Sequence, residues 1–251
     1  MATVQSIYRY PVKGLSPESL SAVRLEPGRT LPADRMYAVE NGPSGFDPTA
    51  PKYFPKTQFL MLMRNERLAT LDTRYDDATH TLTILGEGHE LARGDLATRE
   101  GRLAIEAFFR RFMPAELRGP PKVLQGAGHS FSDVAAKVVS IVNLASVAQI
   151  ETVIGAPVNP LRFRANLYVT GWPAWHEFNL LGQEIAIGEA RLKVVKRIVR
   201  CAATNVDPDT GIRDLTIPAT LMQAFDHADC GVYAQVVQGG EFAVGGEVVF
   251  T

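Results

Sequence analysis

Apolar and polar positions alternate over short stretches through most of this chain. Strand-like runs fall at 2–8, 20–25, 35–40, 68–74 and 79–85, each bounded by Gly, Pro, Asp or Asn. The second half continues with runs at 137–142, 165–170, 183–187, 192–199, 231–238 and 247–250. Two stretches instead carry helical spacing. Over 98–112, Thr98 is placed to cap a helix whose Leu103, Ala107, Phe108 and Phe112 share one stripe, with Pro114 as the stop. Over 144–154, a second helix closes at Gly155. The segment 41–56 holds four prolines and two glycines and reads as a long surface loop. Many short strands with few helices predict a mainly β fold with some helix (α+β), barrel-like in its second half, rather than alternating βαβ units. Pro120-Pro121 and Gly126-Ala127-Gly128 mark a boundary, giving a β-rich domain over 1–125 and a second domain over 126–251.

Composition changes this picture only by exclusion. The chain has 251 residues, 46% hydrophobic and 21% charged, as in an ordinary soluble globular protein. Lys and Arg total 26 against 27 Asp and Glu, a net charge of −1. That balance argues against a nucleic-acid binder, which needs a basic surface, and leaves room for one basic pocket. No apolar run is long enough for a membrane span, and the N-terminus lacks a basic stretch followed by an apolar core. Two cysteines, Cys201 and Cys230, offer no disulfide framework, so a reducing cytoplasm is the expected compartment.

Candidate chemistry begins at Cys201, placed where the run 192–199 leaves the sheet. Arg200, Arg197 and Lys196 beside it favour a thiolate, a soft metal ligand; the competing reading is a small buried hydrophobe. Downstream, Asp207-Pro208-Asp209-Thr210-Gly211 lacks calcium-loop spacing and reads as a turn, with Asp207 accepting backbone N–H bonds to anchor the Cys201 loop. Lys13, Gly14 and Arg35 lie at strand edges, where two cations and a close backbone approach suit a phosphate, or where the cations are simply surface charges. Strand alternation would put Arg162, Arg164 and Asn166 on one face. Such a face needs a partner, either a planar heterocycle or acidic residues of the same chain. The five histidines show no metal-binding spacing.

Taken in order, Tyr10-Pro11-Val12-Lys13-Gly14, Asp34-Arg35, 59–64, 162–167, Arg200-Cys201 and Val206 to Gly211 resemble a MOSC domain preceded by its N-terminal β-domain, over roughly 2–250. The resemblance implies a MOSC-type β-barrel and a molybdenum cofactor (molybdopterin) held between the halves, with Cys201 binding the metal. It implies Lys13, Gly14 and Arg35 at the cofactor phosphate. Arg164 and Asn166 would sit at the pterin, with Asn143, Arg200, Thr204 and Asn205 nearby. By similarity to amidoxime-reducing components and bacterial reductases of N-hydroxylated bases, the expected activity is reduction of N-hydroxylated small molecules. Electrons would come from a separate flavoprotein, ferredoxin or cytochrome-like partner. The alternative is a sulfur carrier holding a persulfide on Cys201, or a cofactor-handling protein. The resemblance also brings a family-level association with pyridoxal phosphate. Gly14 and Asn143 stand where many relatives have serine, and Asn205 where they have threonine.

Overall fold

Alternate burial along the strands turns one face of a long sheet inward, and that sheet closes on itself. The computed structural model describes residues 1–250. Strand β1 (Ala2–Arg9) is followed by β2 (Glu18–Leu20), β3 (Ala22–Leu25) and β4 (Tyr37–Asn41). A meander of β5 (Asp72–Asp76), β6 (Thr81–Gly86) and β7 (His89–Asp95) leads to α1 (Arg99–Phe112) and β8 (Pro121–Gln125). The remainder comprises β9 (Val139–Asn143), α2 (Leu144–Ile154), β10 (Leu167–Thr170), β11 (Glu184–Ile187), β12 (Ala190–Val199), α3 (Ile217–Phe225), β13 (Asp229–Gln238), β14 (Gly240–Ala243) and β15 (Glu247–Phe250).

Seven strands form the closed barrel, in the order β10-β9-β13-β12-β11-β15-β1, with β1 pairing back onto β10. Strand β1 comes from the first residues of the chain, so the barrel of the second half is completed by the first. Val4, Ile7, Ile141, Leu192, Val194 and Val232 fill its interior, each burial contributing about 1.5–3 kcal/mol. Trp172 seals this core and Trp175 packs against it. A second core joins β4, the meander and α1 through Tyr37, Leu60, Leu68, Ile84, Phe108 and Phe109. Helices α2 and α3 cover the outside of the barrel through Val147, Ile150, Ile217 and Leu221. No described helix is long and apolar enough to cross a membrane.

The mainly β expectation with a MOSC-type barrel holds, and its exceptions have local causes. Thr98 caps α1 by accepting from Gly101 N, and Gly155 closes α2 at φ 73°. The buried stripe of α1 is Ile105, Phe108 and Phe109, whereas Leu103 is exposed. The run at 68–74 is not one strand. Asn65 accepts from Leu68 N, so residues Glu66–Thr70 wind into a 3-10 turn before β5 begins. Helix α3 starts at Ile217-Pro218, where proline in the first turn loses no hydrogen bond.

Candidate functional site

Where β1 ends, the chain turns through Tyr10–Gly14 and is laced to the segment around Arg35. Tyr10 N donates to Asp34 Oδ1 (2.9 Å), Arg35 N to Tyr10 O (2.7 Å) and Lys13 N to Tyr37 O (2.8 Å). Gly14 has φ +84°, and a Cβ there would lie 3.1 Å from Leu60 O. Glycine is therefore favoured here, since a side chain in this region costs about 1–2 kcal/mol.

These residues form one wall of a cleft of about 270 Å³ between the two halves, near the lower end of the roughly 300–1,000 Å³ typical of ligand pockets. Lys13, Gly14, Arg35, Arg164, Asn166, Arg200, Cys201 and Thr204 all line it. Its lining holds eight basic side chains and two carboxylates, Asp34 and Asp133, in a chain whose net charge is −1. The cleft is thus a local positive well suited to an anion.

The arginines divide by role. Arg35 and Arg164 both lie against the Tyr10 ring, their guanidinium carbons 4.5 and 4.2 Å from its centroid. Arg35 donates to Asp34 Oδ2 (2.5 Å) and to Arg164 O (2.9 Å). Arg164 donates to Leu15 O (2.8 Å) and has no carboxylate in ion-pair range among the described residues. Burial lowers its pKa to about 10, so it remains charged at neutral pH. Both arginines also adopt left-handed backbone, at φ 51° and 49°. Strain of this kind, costing about 1–3 kcal/mol per residue, concentrates at binding sites.

Residues 162–166 do not form the alternating strand that their spacing predicts. Asn159 caps a 3-10 turn over Pro160–Phe163, Arg164 ends it in the left-handed region, and β10 starts only at Leu167. Arg162 therefore points to Asp207 (2.8 Å) and Asp214 (2.8 and 2.7 Å), an acidic partnership within the chain. Asn166 is 2% exposed. Its oxygen accepts from Ser140 N and Oγ, and its nitrogen donates to Tyr8 O, so the amide ties β9, β10 and β1 together.

Asn143 does not reach the cleft lining. It caps α2 through Ala145 N and donates to Pro173 O (2.7 Å) and Glu177 Oε2 (3.1 Å). Asn205 is likewise absent from the lining; its carbonyl accepts from Arg162, and its side-chain oxygen is buried without a partner among the described residues.

At the opposite wall, β12 delivers Cys201 at the start of a 3-10 turn, Ala202–Asn205. Thr204 locks that turn by donating from both N (3.0 Å) and Oγ1 (2.9 Å) to Cys201 O. The cation that reaches the sulfur is Lys56, at the end of the proline-rich loop, with Nζ 3.2 Å from Sγ. Arg200 instead spends its guanidinium on the carbonyls of Cys230 and Phe163. Lys56 also donates to Asp133 (3.0 Å), which accepts from Lys13 (2.5 Å). Asp133 is 44% exposed; the partial burial it has disfavours ionisation, but Lys13 and Lys56 outweigh that and hold the carboxyl well below its usual range. Neither Lys56 nor Asp133 has a motif or spacing that marks it in the sequence; only the fold brings them together. The other cysteine is a core residue, 0% exposed, and burial pushes its thiol up to about 12.

A model of the MOSC N-terminal beta barrel domain matches residues 1–113, and a model of the MOSC domain matches residues 126–249. The chain belongs to the MOSC family. It is 31% identical over 122 residues to mitochondrial amidoxime reducing component 2 of Bos taurus, covering 44% of this chain and 36% of that protein. The human component 2 is 30% identical over 116 residues, covering 41% and 34%. These alignments span about a third of the relatives' length. Among solved structures, the YUAD protein of Bacillus subtilis is similar with a TM-score of 0.46 and 14% identity, covering 98% of this chain and 93% of that one.

In this MOSC chain, a single arginine links the cysteine loop to the N-terminal half. Arg213 donates to Ala202 O (2.9 Å), Leu62 O (3.0 Å), Met63 O (2.9 Å) and Glu66 Oε2 (2.9 Å). Its side chain is 31% exposed, so solvent screens part of the gain. Arg213→Ala is expected to cost about 2 kcal/mol, one to two charge-assisted bonds net. In thermal unfolding this is a loss of about 4–8 °C, with Arg213→Lys recovering only part because one ammonium cannot span these carbonyls. An unchanged midpoint would show that other contacts hold the two segments together.

Proposed function

We propose that this MOSC protein binds a molybdopterin-type molybdenum cofactor in the cleft, with Cys201 as the protein's sulfur ligand, and reduces N-hydroxylated compounds with electrons from a separate donor protein. The observation that carries this reading is the pairing, in one cleft, of an excess of basic side chains with one accessible thiol.

The donor set fits such a group. Phosphate oxygens accept strongly from Lys and Arg, and a thiolate is a soft ligand for a metal that needs sulfur donation. Among the described residues Arg164 is a part-buried cation without a carboxylate partner, and an incoming anion relieves that deficit. Arg35 is preset by Asp34 and the Tyr10 ring, so little side-chain freedom is lost on binding. Lys13 is 6% exposed, and burial lowers its pKa. Asp133 opposes that shift, and a bound phosphate would compete with Asp133 for the same ammonium. Gly14 lets the backbone approach without a side chain.

When bound, the cofactor supplies two-electron redox chemistry that no side chain provides. The substrate gains two electrons and two protons, loses water, and leaves as the amine or amidine. The protein's part is to hold Cys201 fixed through Thr204 and to place Lys56 beside its sulfur.

The test is turnover of an aryl amidoxime by the cofactor-loaded protein, driven by reduced methyl viologen. Wild type is expected to form the amidine, and Cys201→Ser to be slower by roughly 100-fold or more, at the upper end of what a lost metal-site partner costs. A Cys201→Ser protein with full activity would remove Cys201 from the mechanism.

A further inference from the structure

Strand β12 carries Arg191, Lys193, Lys196 and Arg197 and no carboxylate. Ala190, Leu192 and Val194 turn into the barrel core, which leaves Arg191, Lys193 and Lys196 exposed on the outer face. None of these three lies in ion-pair range of a carboxylate among the described residues. The flanking strands add one acid each: Glu184 on β11, in register with Lys193, and Asp229 on β13, in register with Val199. The row runs directly into the cleft, whose lining includes every residue from Lys196 to Cys201. At its lip, Val199 is 68% exposed, and Val195 is 39% exposed further back.

An apolar spot beside a catalytic cleft, rimmed on one side by cations that have no ion-pair partner among the described residues, has the composition of a docking site with an apolar centre and a charged rim. The chain's net charge is −1, so this positive face is local rather than a property of the whole surface. We infer that the outer face of β12 is the docking surface for an acidic electron-carrier protein of the flavodoxin or ferredoxin kind. The inference rests on the reductase reading above, because that reaction needs electrons delivered at the cleft mouth.

The dimensions agree. A standard interface of about 800 Å² per partner is roughly 30 Å across. Along β12, the eight residue steps from Arg191 to Val199 span about 26 Å. A carrier centred over Val195 therefore reaches Val199 at the cleft lip and Arg191 at the opposite rim, each four residues or about 13 Å away, with Lys193 and Lys196 between. Rim charges act mainly on association rate and salt dependence. Arg191 and Lys193 lie outside the cleft lining, so changing them leaves the chemistry alone. Lys193 is best neutralised rather than reversed, since a glutamate there would face Glu184 across the strands.

The experiment measures binding of oxidised plant-type ferredoxin to the cofactor-loaded protein by calorimetry, for wild type, Arg191→Glu/Lys193→Gln and the charge-conserving Arg191→Lys/Lys193→Arg. Wild type is expected to bind saturably and more weakly as salt rises. The charge-altered protein should bind about tenfold more weakly with little salt dependence, and the conserving variant should match wild type. Equal affinity in all three, no binding in any, or binding of phosphatidylserine vesicles in place of ferredoxin would overturn the proposal. Viologen-driven turnover in the same preparations bypasses the carrier. Its loss in wild type would count against the reductase reading, whereas its retention with unaltered ferredoxin binding would count against this surface alone.

Discussion

Arg162→Met is expected to destabilise the protein by about 3 kcal/mol while leaving its apolar contacts in place. The guanidinium is 2% exposed and bonds Asp207, Asp214 and the carbonyl of Asn205. Removing one member of a buried ion pair costs about 3–5 kcal/mol, chiefly because the partner charge is stranded. Here the lower figure applies, since Asp207 and Asp214 are 20% and 42% exposed and can rehydrate. In a chain of this length the loss is about 6–12 °C in melting temperature. Arg162→Met/Asp207→Asn/Asp214→Asn should recover a good part of it, because the stranded charges go too. A triple variant no better than the single one would show that the guanidinium's carbonyl bond and packing, rather than the stranded carboxylates, set the cost.

The acid side of this network has a different origin. Burial opposes ionisation of Asp207, but the N–H and O–H of Thr210 and the N–H of Asp209 outweigh it, with Arg162 contributing least, and hold the carboxyl below its usual range. A depressed folded pKa means stability present at neutral pH and lost as the pH falls below the unfolded value, near 3.8, through the folded one. Arg162→Met should therefore keep most of the acid sensitivity that Asp207 confers.

Asp207 was legible in the sequence because a turn acceptor followed by Pro, Thr and Gly has a local cause, and the structure shows its oxygen accepting from Asp209 N, Thr210 N and Thr210 Oγ1. Helix α2 was legible because Gly155 closes it; its cap at the other end, Asn143, was not read as one. Residues 162–166 were not, because alternation of side-chain type carries no information about the Asn159-Pro160 turn that replaces a strand with a 3-10 turn. The strand β8 was hidden by its opening proline, which needs no N–H at the end of a two-stranded ladder.

The cleft divides in the same way. Lys13, Arg35 and Cys201 each lie within four residues of a strand end, near the edges of runs that pattern identifies. Lys13 and Lys56 meet at Asp133 across separations of 120 and 77 residues, and only the assembled fold supplies that proximity. Asn143 entered only through the family resemblance, which put it near the pterin; in the fold it caps the helix that follows.

The most direct measurement is molybdenum and pterin content per chain, for wild type and Cys201→Ala expressed in a host that makes the cofactor. About one molybdenum and one pterin per wild-type chain, with molybdenum lost from the variant, is the predicted result. Neither molybdenum nor pterin in the wild type would contradict it and shift the assignment of Cys201 toward carrying sulfur.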